Sequence, residues 1–353
     1  MSRHRDRIAE EIKKSASEVQ QAAKDKSRLS VVTKERDALL AQLGVIESWS
    51  DESVARPRWL APPRKKGSEH HATLNVLVTD THFDEEVDPA EIDGINAYNR
   101  EIAELRLRRC AERAVLLARH YLGGMKYDGV CLMLGGDIFS GNIHEELART
   151  NRDTLFGSLL HWIGPMGALV GMMADEFKKI HVVGVPGNHG RLTRKPVAKK
   201  RAPDNLDWLL YHLLRRDFKS DDRVTWEISR GADAHVQIYD VRYLLTHGDQ
   251  FRGGSGISGA LAPLLLGTHR KTRRQAAAGR PYDYMVMGHW HQEMCLPARG
   301  LIVGPCLKGY DEFAYVQNYE PEKPKQLLWI TTPERGITFT APIFVSDRKA
   351  EGW

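Results

Sequence analysis

Five short apolar segments of this chain each run directly into residues that can bind a metal ion. The segments are LNVLVT (74–79), VCLML (130–134), HVVGV (181–185), VRYLLT (241–246) and YMVM (284–287), followed by DTH (80–82), GGD (135–137), GNH (187–189), HGD (247–249) and GHWH (288–291). Aliphatic runs of this length predict buried strands, and the glycines allow sharp turns after them. Because parallel strands end at one edge of a sheet, the polar side chains are predicted to converge there.

Helical stretches between these strands predict an α/β fold. A long helical segment from about Glu91 to Tyr121 separates the first two strands, and two more strands, QLLWITT (326–332) and ITFTAPIFV (337–345), close the chain. We therefore expect one catalytic domain over residues 72–353.

The first 71 residues have a different composition. Residues 1–48 are rich in Ala, Glu, Lys, Arg and Gln with loosely helical apolar spacing, which predicts a helical or coiled-coil-like arm. Self-association through this arm is one hypothesis, and a loosely attached helix is the other. Residues 49–71 carry Pro, Ser and charged residues, as is typical of a linker.

The bulk composition is typical of a globular protein. The chain has 353 residues, 42% of them hydrophobic and 27% charged. The four cysteines are far apart and form no C-x-x-C pair, so a reducing compartment is expected. The charged N-terminus lacks a signal-peptide pattern and the apolar run near Gly164 to Ala174 is too short for a bilayer, so we expect a cytoplasmic protein that contacts no membrane.

The ligand types constrain the metal. Each cluster alone is a weak signal, since a single Asp or His at a strand end is more often a cap or a satisfied polar group. Together they offer carboxylate, amide and imidazole donors without thiolates, which suits Mn, Fe, Zn or Mg rather than a structural zinc site.

The ordered pattern D-x-H, G-G-D, G-N-H, H-G-D, G-H-x-H resembles the calcineurin-like metallophosphoesterase superfamily over residues 74 to about 310. The strings GGDIFSGNIHEEL, PGNHGR, HGDQFRGGSGISG, GHWHQ and LKGYDEFAY are similar to phage- and prophage-encoded members, which implies a host-cell cytoplasm. The resemblance implies a four-layer α/β/β/α sandwich and hydrolysis of a phosphoester by a hydroxide that bridges two divalent ions. Mn is the first expectation, with Fe, Zn, Mg or Co as alternatives.

The resemblance also implies a role for each matching residue. One ion is held by Asp80, His82 and His291 together with Asp137, which bridges to the second. The ligands of the second ion are Asn188, His247 and His289. His189 is implied as the proton donor to the leaving oxygen, or as the residue that stabilises its charge.

Two positions depart from the family pattern, because the second acid of G-D-x-x-D is Ser140 here and the acid or amide after G-N-H is Gly190. His189 is thus left without an obvious carboxylate partner. The residues Asn142, His144 and Glu145 are candidates for that role, although a surface helix explains them equally well.

Three further features lie next to the predicted ligands. Arg191 follows the G-N-H-G turn, and we predict that it either binds a phosphate oxygen or forms an ordinary surface ion pair. The glycines of 253–259 indicate a flexible loop or a tight crossover. Trp290 either stacks on a base or packs as an ordinary aromatic.

Basic residues cluster after two of the ligand motifs, within 191–216 and within 270–274. Such runs are often solvated surface, but here they also suit a DNA or RNA backbone. A nuclease-type phosphodiesterase is our first functional prediction. The alternatives are a phosphatase or small-molecule (nucleotide) phosphodiesterase, and a non-catalytic metal-binding scaffold.

Overall fold

The computed structural model describes residues 70–251 and 261–353. The predicted arm, most of the linker and the glycine-rich run 253–259 therefore lie outside the described residues. The helices are α1 (Arg100–Leu116), α2 (Glu145–Thr150), α3 (Leu155–Phe177), α4 (Leu206–Asp217), α5 (Leu261–Ala277), α6 (Glu312–Val316) and α7 (Arg348–Glu351). The strands are β1 (His71–Val78), β2 (Lys126–Leu134), β3 (Ile180–Gly184), β4 (Val224–Ile228), β5 (Asp233–Ile238), β6 (Val241–Thr246), β7 (Tyr284–Met287), β8 (Met294–Leu296), β9 (Leu301–Val303), β10 (Lys325–Thr332) and β11 (Gly336–Phe344).

The strands form two sheets. The six-stranded sheet has the order β11-β10-β1-β2-β3-β4, with β1 to β4 parallel and β10 and β11 antiparallel to their neighbours. The five-stranded sheet has the order β5-β6-β7-β9-β8, with β6, β7 and β9 parallel between antiparallel edges. All five ligand motifs follow parallel strands, so they collect at the carboxyl ends of both sheets.

Three apolar cores separate four layers. The largest core lies between the six-stranded sheet and helices α1, α3 and α4, and contains Leu132, Trp162 and Leu210. A second core lies between the sheets, with Met133 and Trp329 facing Tyr243 and other residues of the five-stranded sheet. A third places Leu264 of α5 against the outer face of that sheet. The architecture is therefore the expected α/β/β/α sandwich.

Strand burial explains why the sequence predicts the ligand-bearing strands well. Along β2, Leu132 packs toward the helices while Met133 packs toward the other sheet, so both faces are apolar and the run is continuous. The edge strands β4, β5 and β8 lack this signal, and β9 is apolar on both faces but only three residues long, so the sequence predicted none of the four. The first helix was predicted too early, because it begins at Arg100 after the cap residue Asn99, and only a short 3-10 turn spans Pro89–Ile92.

Helix α3 is long and apolar enough, by length and composition, to cross a membrane. The prediction that no segment spans a membrane rested on the apolar run near Gly164, and the helix extends well beyond that run. In the structure one face of α3, including Trp162, Met166 and Val170, packs in the largest core. A core helix of this kind satisfies the same criterion as a membrane span.

Candidate dinuclear metal centre

The loops that carry the predicted ligands hold an uncommon backbone conformation. Five of the seven predicted ligands have positive φ angles: Asp80 (51°), His82 (46°), Asp137 (50°), His289 (69°) and His291 (55°). Residues other than glycine seldom adopt this region, and such strain clusters at functional sites. The loops also approach one another closely, since a Cβ at Gly187 would collide with the Asp137 carboxylate. Glycine is required at that position.

The first group of donors consists of Asp80, His82 and His291. The Nε2 atoms of the two histidines lie 3.2 Å apart, and Asp80 Oδ1 is 3.4 Å from His291 Nε2 and 4.0 Å from His82 Nε2. Asp80 accepts hydrogen bonds from Thr79 Oγ1 at 2.7 Å and from the backbone N–H of His289. Three donor atoms therefore face one point.

The second group consists of Asp137, His247 and His289, with Asn188 beside them. His247 Nε2 lies 2.9 Å from Asp137 Oδ2 and 3.1 Å from Asn188 Oδ1. His247 Nδ1 is 2.9 Å from the Gly135 carbonyl oxygen and donates its proton there. That hydrogen bond fixes the tautomer and leaves Nε2 as the ligand atom.

Backbone hydrogen bonds join the two groups. The N–H of Asp80 donates to the Gly136 carbonyl and the N–H of His82 to the Asp137 carbonyl, each at 3.1 Å. The Asp137 carboxylate is placed with the second group, and the shared ligand role predicted for it stays a prediction.

The electrostatics fit a cation at each group. Burial lowers the pKa of His247, but the Asp137 carboxylate outweighs burial and raises that pKa to about 10, so a metal ion that binds His247 Nε2 takes the place of a proton held there by Asp137. Burial, reinforced by His247, lowers the pKa of His289 to about 4, so its imidazole is neutral and able to bind a metal ion. Among the described residues His82 Nδ1 is buried without a hydrogen-bond partner, and His82 Nε2 faces His291 Nε2, the nitrogen of another imidazole. A divalent cation satisfies these facing donors, so the residues fit the two metals that the sequence implies.

His189 has a backbone partner in place of a carboxylate. Its Nδ1 lies 2.7 Å from the Ser140 carbonyl oxygen, and its ring stands edge-on to His82 with centroids 4.6 Å apart. The three candidates proposed from the sequence, Asn142, His144 and Glu145, are exposed, and Glu145 pairs with Arg194 instead. The sequence predicted a side-chain partner for His189. Every residue has a backbone carbonyl, so a carbonyl partner cannot be identified from residue types.

A buried charged cluster backs the first group. Lys308 Nζ lies 2.6 Å from Glu85 Oε1 and also pairs with Asp311, and all three side chains are nearly inaccessible to solvent. Glu85 Oε2 is 3.5 Å from His82 Nδ1. Since Glu85 follows the DTH motif by three residues, its position was the one available signal for this cluster.

A buried aspartate backs the second group. Asp207, at the start of α4, accepts hydrogen bonds from backbone N–H groups of the GGD and GNH loops. Burial and the nearby Asp137 raise the pKa of Asp207 to about 7. Asp207 lies within the basic stretch 191–216, and no role was predicted for it from the sequence.

Arg191 and Trp290 have contacts other than substrate in the structure. The Arg191 guanidinium donates to the backbone carbonyls of Asn188, Thr193 and Arg194, so three of its five N–H groups hold its own loop. A role in binding phosphate stays a prediction. Trp290 is half-buried and packs against the outer core of the five-stranded sheet, in agreement with the prediction of an ordinary packed aromatic.

The two basic stretches are partly neutralised. Arg201 forms a bidentate pair with Asp249 at 2.7 and 2.8 Å. Lys271 is buried against Asp233, Thr246 and Gln250, and Arg274 also pairs with Asp233. Lys271 and Arg274 are therefore engaged by protein groups, whereas Arg270 and Arg273 are exposed, and a contact of this stretch with DNA or RNA stays a prediction.

Comparisons with known proteins bear on the fold. No family model and no curated protein matches the sequence. The structure is similar to an archaeal phosphodiesterase (12% identity over 76% of this chain and 99% of that one, TM-score 0.33). It is also similar to a dimetal phosphatase from Danio rerio (12%, 78% and 99%, TM-score 0.34) and to vacuolar protein sorting 29 from Cryptosporidium parvum (14%, 77% and 96%, TM-score 0.32). At this distance the α/β/β/α assignment depends on the layers described above.

Proposed function

We propose that this protein is a phosphoester hydrolase that uses two divalent metal ions. The observation that carries the proposal is the convergence of two donor groups, one around Asp80 and one around Asp137, at the carboxyl ends of two facing sheets. Two bound cations supply an activated water nucleophile and neutralise charge on the phosphoryl oxygens during in-line displacement.

The chain's own residues contribute orientation and a proton. With Nδ1 held by the Ser140 carbonyl, His189 presents Nε2, which has no hydrogen bond to the part of the chain that the structure describes. Once Nε2 also carries a proton, this orientation lets His189 donate that proton to the leaving oxygen of the substrate. The His189 backbone N–H donates to Asp137 Oδ1 at 2.6 Å, so the proton donor and the carboxylate are held in one fixed relation.

For the substrate we propose a phosphodiester of nucleic acid. A groove of about 480 Å³ combines the exposed cations Arg215, Arg216 and Lys219 with the aromatic rings of Phe218 and Trp226. It lies at the C-terminal end of α4, about 18 Å along the helix from the metal centre at the helix start, so a strand bound there reaches the metals only if it extends along the domain surface. Cations that follow a phosphate backbone, together with rings on which bases stack, are the usual elements of single-strand binding. The exposed Arg270 and Arg273 of α5 add positive charge.

The test is a substrate panel with purified protein and Mn²⁺. Single- and double-stranded DNA, RNA, an aryl phosphodiester and an aryl phosphomonoester are compared for the wild type and for Asp137→Ala, with Asp240→Asn in the exposed turn between β5 and β6 as a folded control. We expect turnover of at least one nucleic acid, no measurable turnover with Asp137→Ala, and wild-type rates with Asp240→Asn. A wild type that hydrolyses none of the five substrates contradicts the proposal.

A small pocket beside Asn188 with three cations in its lining favours a second candidate, a nucleotide phosphodiesterase or phosphatase. A pocket of about 20 Å³ there is lined by Arg191, Lys200, Arg201 and Asp249, among other residues. Salt dependence separates the two candidates. A nuclease that contacts several phosphates loses affinity steeply as ionic strength rises, whereas an enzyme for small substrates responds little.

A further inference from the structure

The start of helix α4 grips the loop that carries Asn188 and His189. Asn205 Nδ2 donates to the Gly187 carbonyl at 2.9 Å, and Asp207 Oδ2 accepts from the Gly187 N–H at 2.9 Å. The N–H of Leu206 donates to the Gly190 carbonyl at 2.7 Å. Both ends of the four-residue segment 187–190 are thus tied to the helix.

The same carboxylate reaches a second ligand loop. Asp207 Oδ2 also accepts from the N–H of Asp137 at 3.0 Å, and Oδ1 accepts from the N–H of Ile138 at 3.2 Å. Asp207 is fully buried, and its two oxygens receive three backbone N–H groups from loops that follow β2 and β3. Asp207 therefore ties the Asp137 loop to the Asn188 loop, in addition to the direct hydrogen bond from the His189 N–H to Asp137 Oδ1.

The space for this carboxylate exists because residue 190 is glycine. A Cβ there would lie 2.6 Å from Asn205 Oδ1 and 2.9 Å from both Cγ and Oδ1 of Asp207. Any larger side chain at 190 would displace the two helix residues from the loops. Gly190 stands where the family pattern has an acid or amide, and Asp207 of α4 places a carboxylate beside that position instead.

We infer that Asp207 is a positioning residue for the metal centre, which holds the Asp137 and Asn188 loops at the separation that the second ion requires. A carboxylate is needed because three N–H donors converge on it, and an amide nitrogen in place of one oxygen would point a donor at a donor. The inference rests on the proposed metal centre. It concerns metal binding, which is measured independently of hydrolysis.

The test compares Asp207→Ala and the isosteric Asp207→Asn with Asp217→Asn, a control at the other end of the same helix whose side chain pairs only at 3.8 Å with Arg216 among the described residues. Mn²⁺ affinity is measured by calorimetry, and the coupling between two bound Mn²⁺ ions by electron paramagnetic resonance. We expect both Asp207 variants to bind Mn²⁺ about 10- to 100-fold more weakly and to lose the coupled signal, as changes in the groups that orient ligands typically do. Asp217→Asn should match the wild type.

A measurement on the unaltered protein covers the case in which the variants misfold. In the metal-free wild type, the amide hydrogens of Asp137, Ile138 and Gly187 should exchange slowly because Asp207 accepts them. Fast exchange at these amides, or folded Asp207 variants with wild-type affinity and coupling, overturns the inference. A wild type that binds no Mn²⁺ instead refutes the proposed function, and one that binds two ions without hydrolysing any substrate leaves the inference intact.

Discussion

The two donor groups are supported by different interactions. In the second group, His247 is locked by a carbonyl hydrogen bond, Asp137 accepts a backbone N–H, and both side chains are buried. In the first group the His291 side chain is 34% exposed, and His82 Nδ1 has no hydrogen-bond partner among residues 70–251 and 261–353. A hydrogen bond therefore fixes an imidazole of the second group, whereas in the first group the hydrogen bonds hold Asp80 and a buried ion cluster lies behind His82.

This difference bears on the order in which metals bind. A ligand set that is already oriented loses little conformational freedom when the ion arrives, whereas side chains that must adjust lose more. The second group should accordingly bind its ion more tightly and first. The first group should hold the ion that is more easily removed.

The largest expected effect comes from removing one imidazole from each group. His247→Ala should lower the affinity for the first-loaded ion by more than about 100-fold, because even outer partners of a ligand are worth 10- to 100-fold. His291→Ala should leave one ion bound with wild-type affinity and remove only the weaker one. Mn²⁺ titration by calorimetry gives both values. Equal losses in the two variants would contradict the proposed order of loading.

The metal ligands could be predicted from the sequence better than the groups that hold those ligands in place. The ligands follow strands that are apolar on both faces, such as β1 and β7, so a continuous hydrophobic run marks where each ligand must begin. Supports such as the Ser140 carbonyl and Asp207 act through backbone groups, and Asp207 lies 70 residues from the Asp137 N–H that it accepts. No residue pattern records a contact of that kind.

The ion pairs of the basic residues also could not be predicted from the sequence. Clustered cations such as Lys271 and Arg201 suggested an exposed basic surface, but tertiary structure brings Asp233 and Asp249 to them. A charge run is defined by neighbours along the chain, whereas an ion pair depends on neighbours in space.

The next largest effect tests the ion cluster that supports the first group. Lys308→Met leaves Glu85 and Asp311 buried without their cation, which should lower the free energy of unfolding of the metal-free protein by about 3–5 kcal/mol. Burial lowers the pKa of Lys308, but Asp311 and Glu85 outweigh it and hold that pKa well above its usual value. The contribution of Lys308 is therefore complete at neutral pH and is lost only in strongly alkaline solution. Urea unfolding at pH 7 measures the change.

Lys325→Met is the matched control for Lys308→Met. Lys325 also pairs with two carboxylates, Glu293 at 2.7 Å and Glu322 at 2.9 Å, but those carboxylates are partly exposed. Its loss should cost about 1 kcal/mol or less. If the two variants are destabilised equally, the ion cluster is no stronger than a surface pair, and the contrast between the two donor groups weakens.

The smallest effect isolates one hydrogen bond to a ligand. Thr79→Val keeps the side-chain shape but removes the hydroxyl that donates to Asp80 Oδ2, so the first group should bind its ion about fivefold more weakly, the equivalent of about 1 kcal/mol. Thr81→Val is the control, since Thr81 Oγ1 donates at 2.7 Å to the Ile138 carbonyl and forms no hydrogen bond to a ligand side chain among the described residues. Both variants lose one buried hydrogen bond and should be destabilised alike, but only Thr79→Val should change metal affinity. Asp80 also accepts a hydrogen bond from the His289 N–H. A fivefold loss of affinity would therefore show that this backbone hydrogen bond alone does not orient Asp80. An unchanged affinity would show that the backbone hydrogen bond is sufficient.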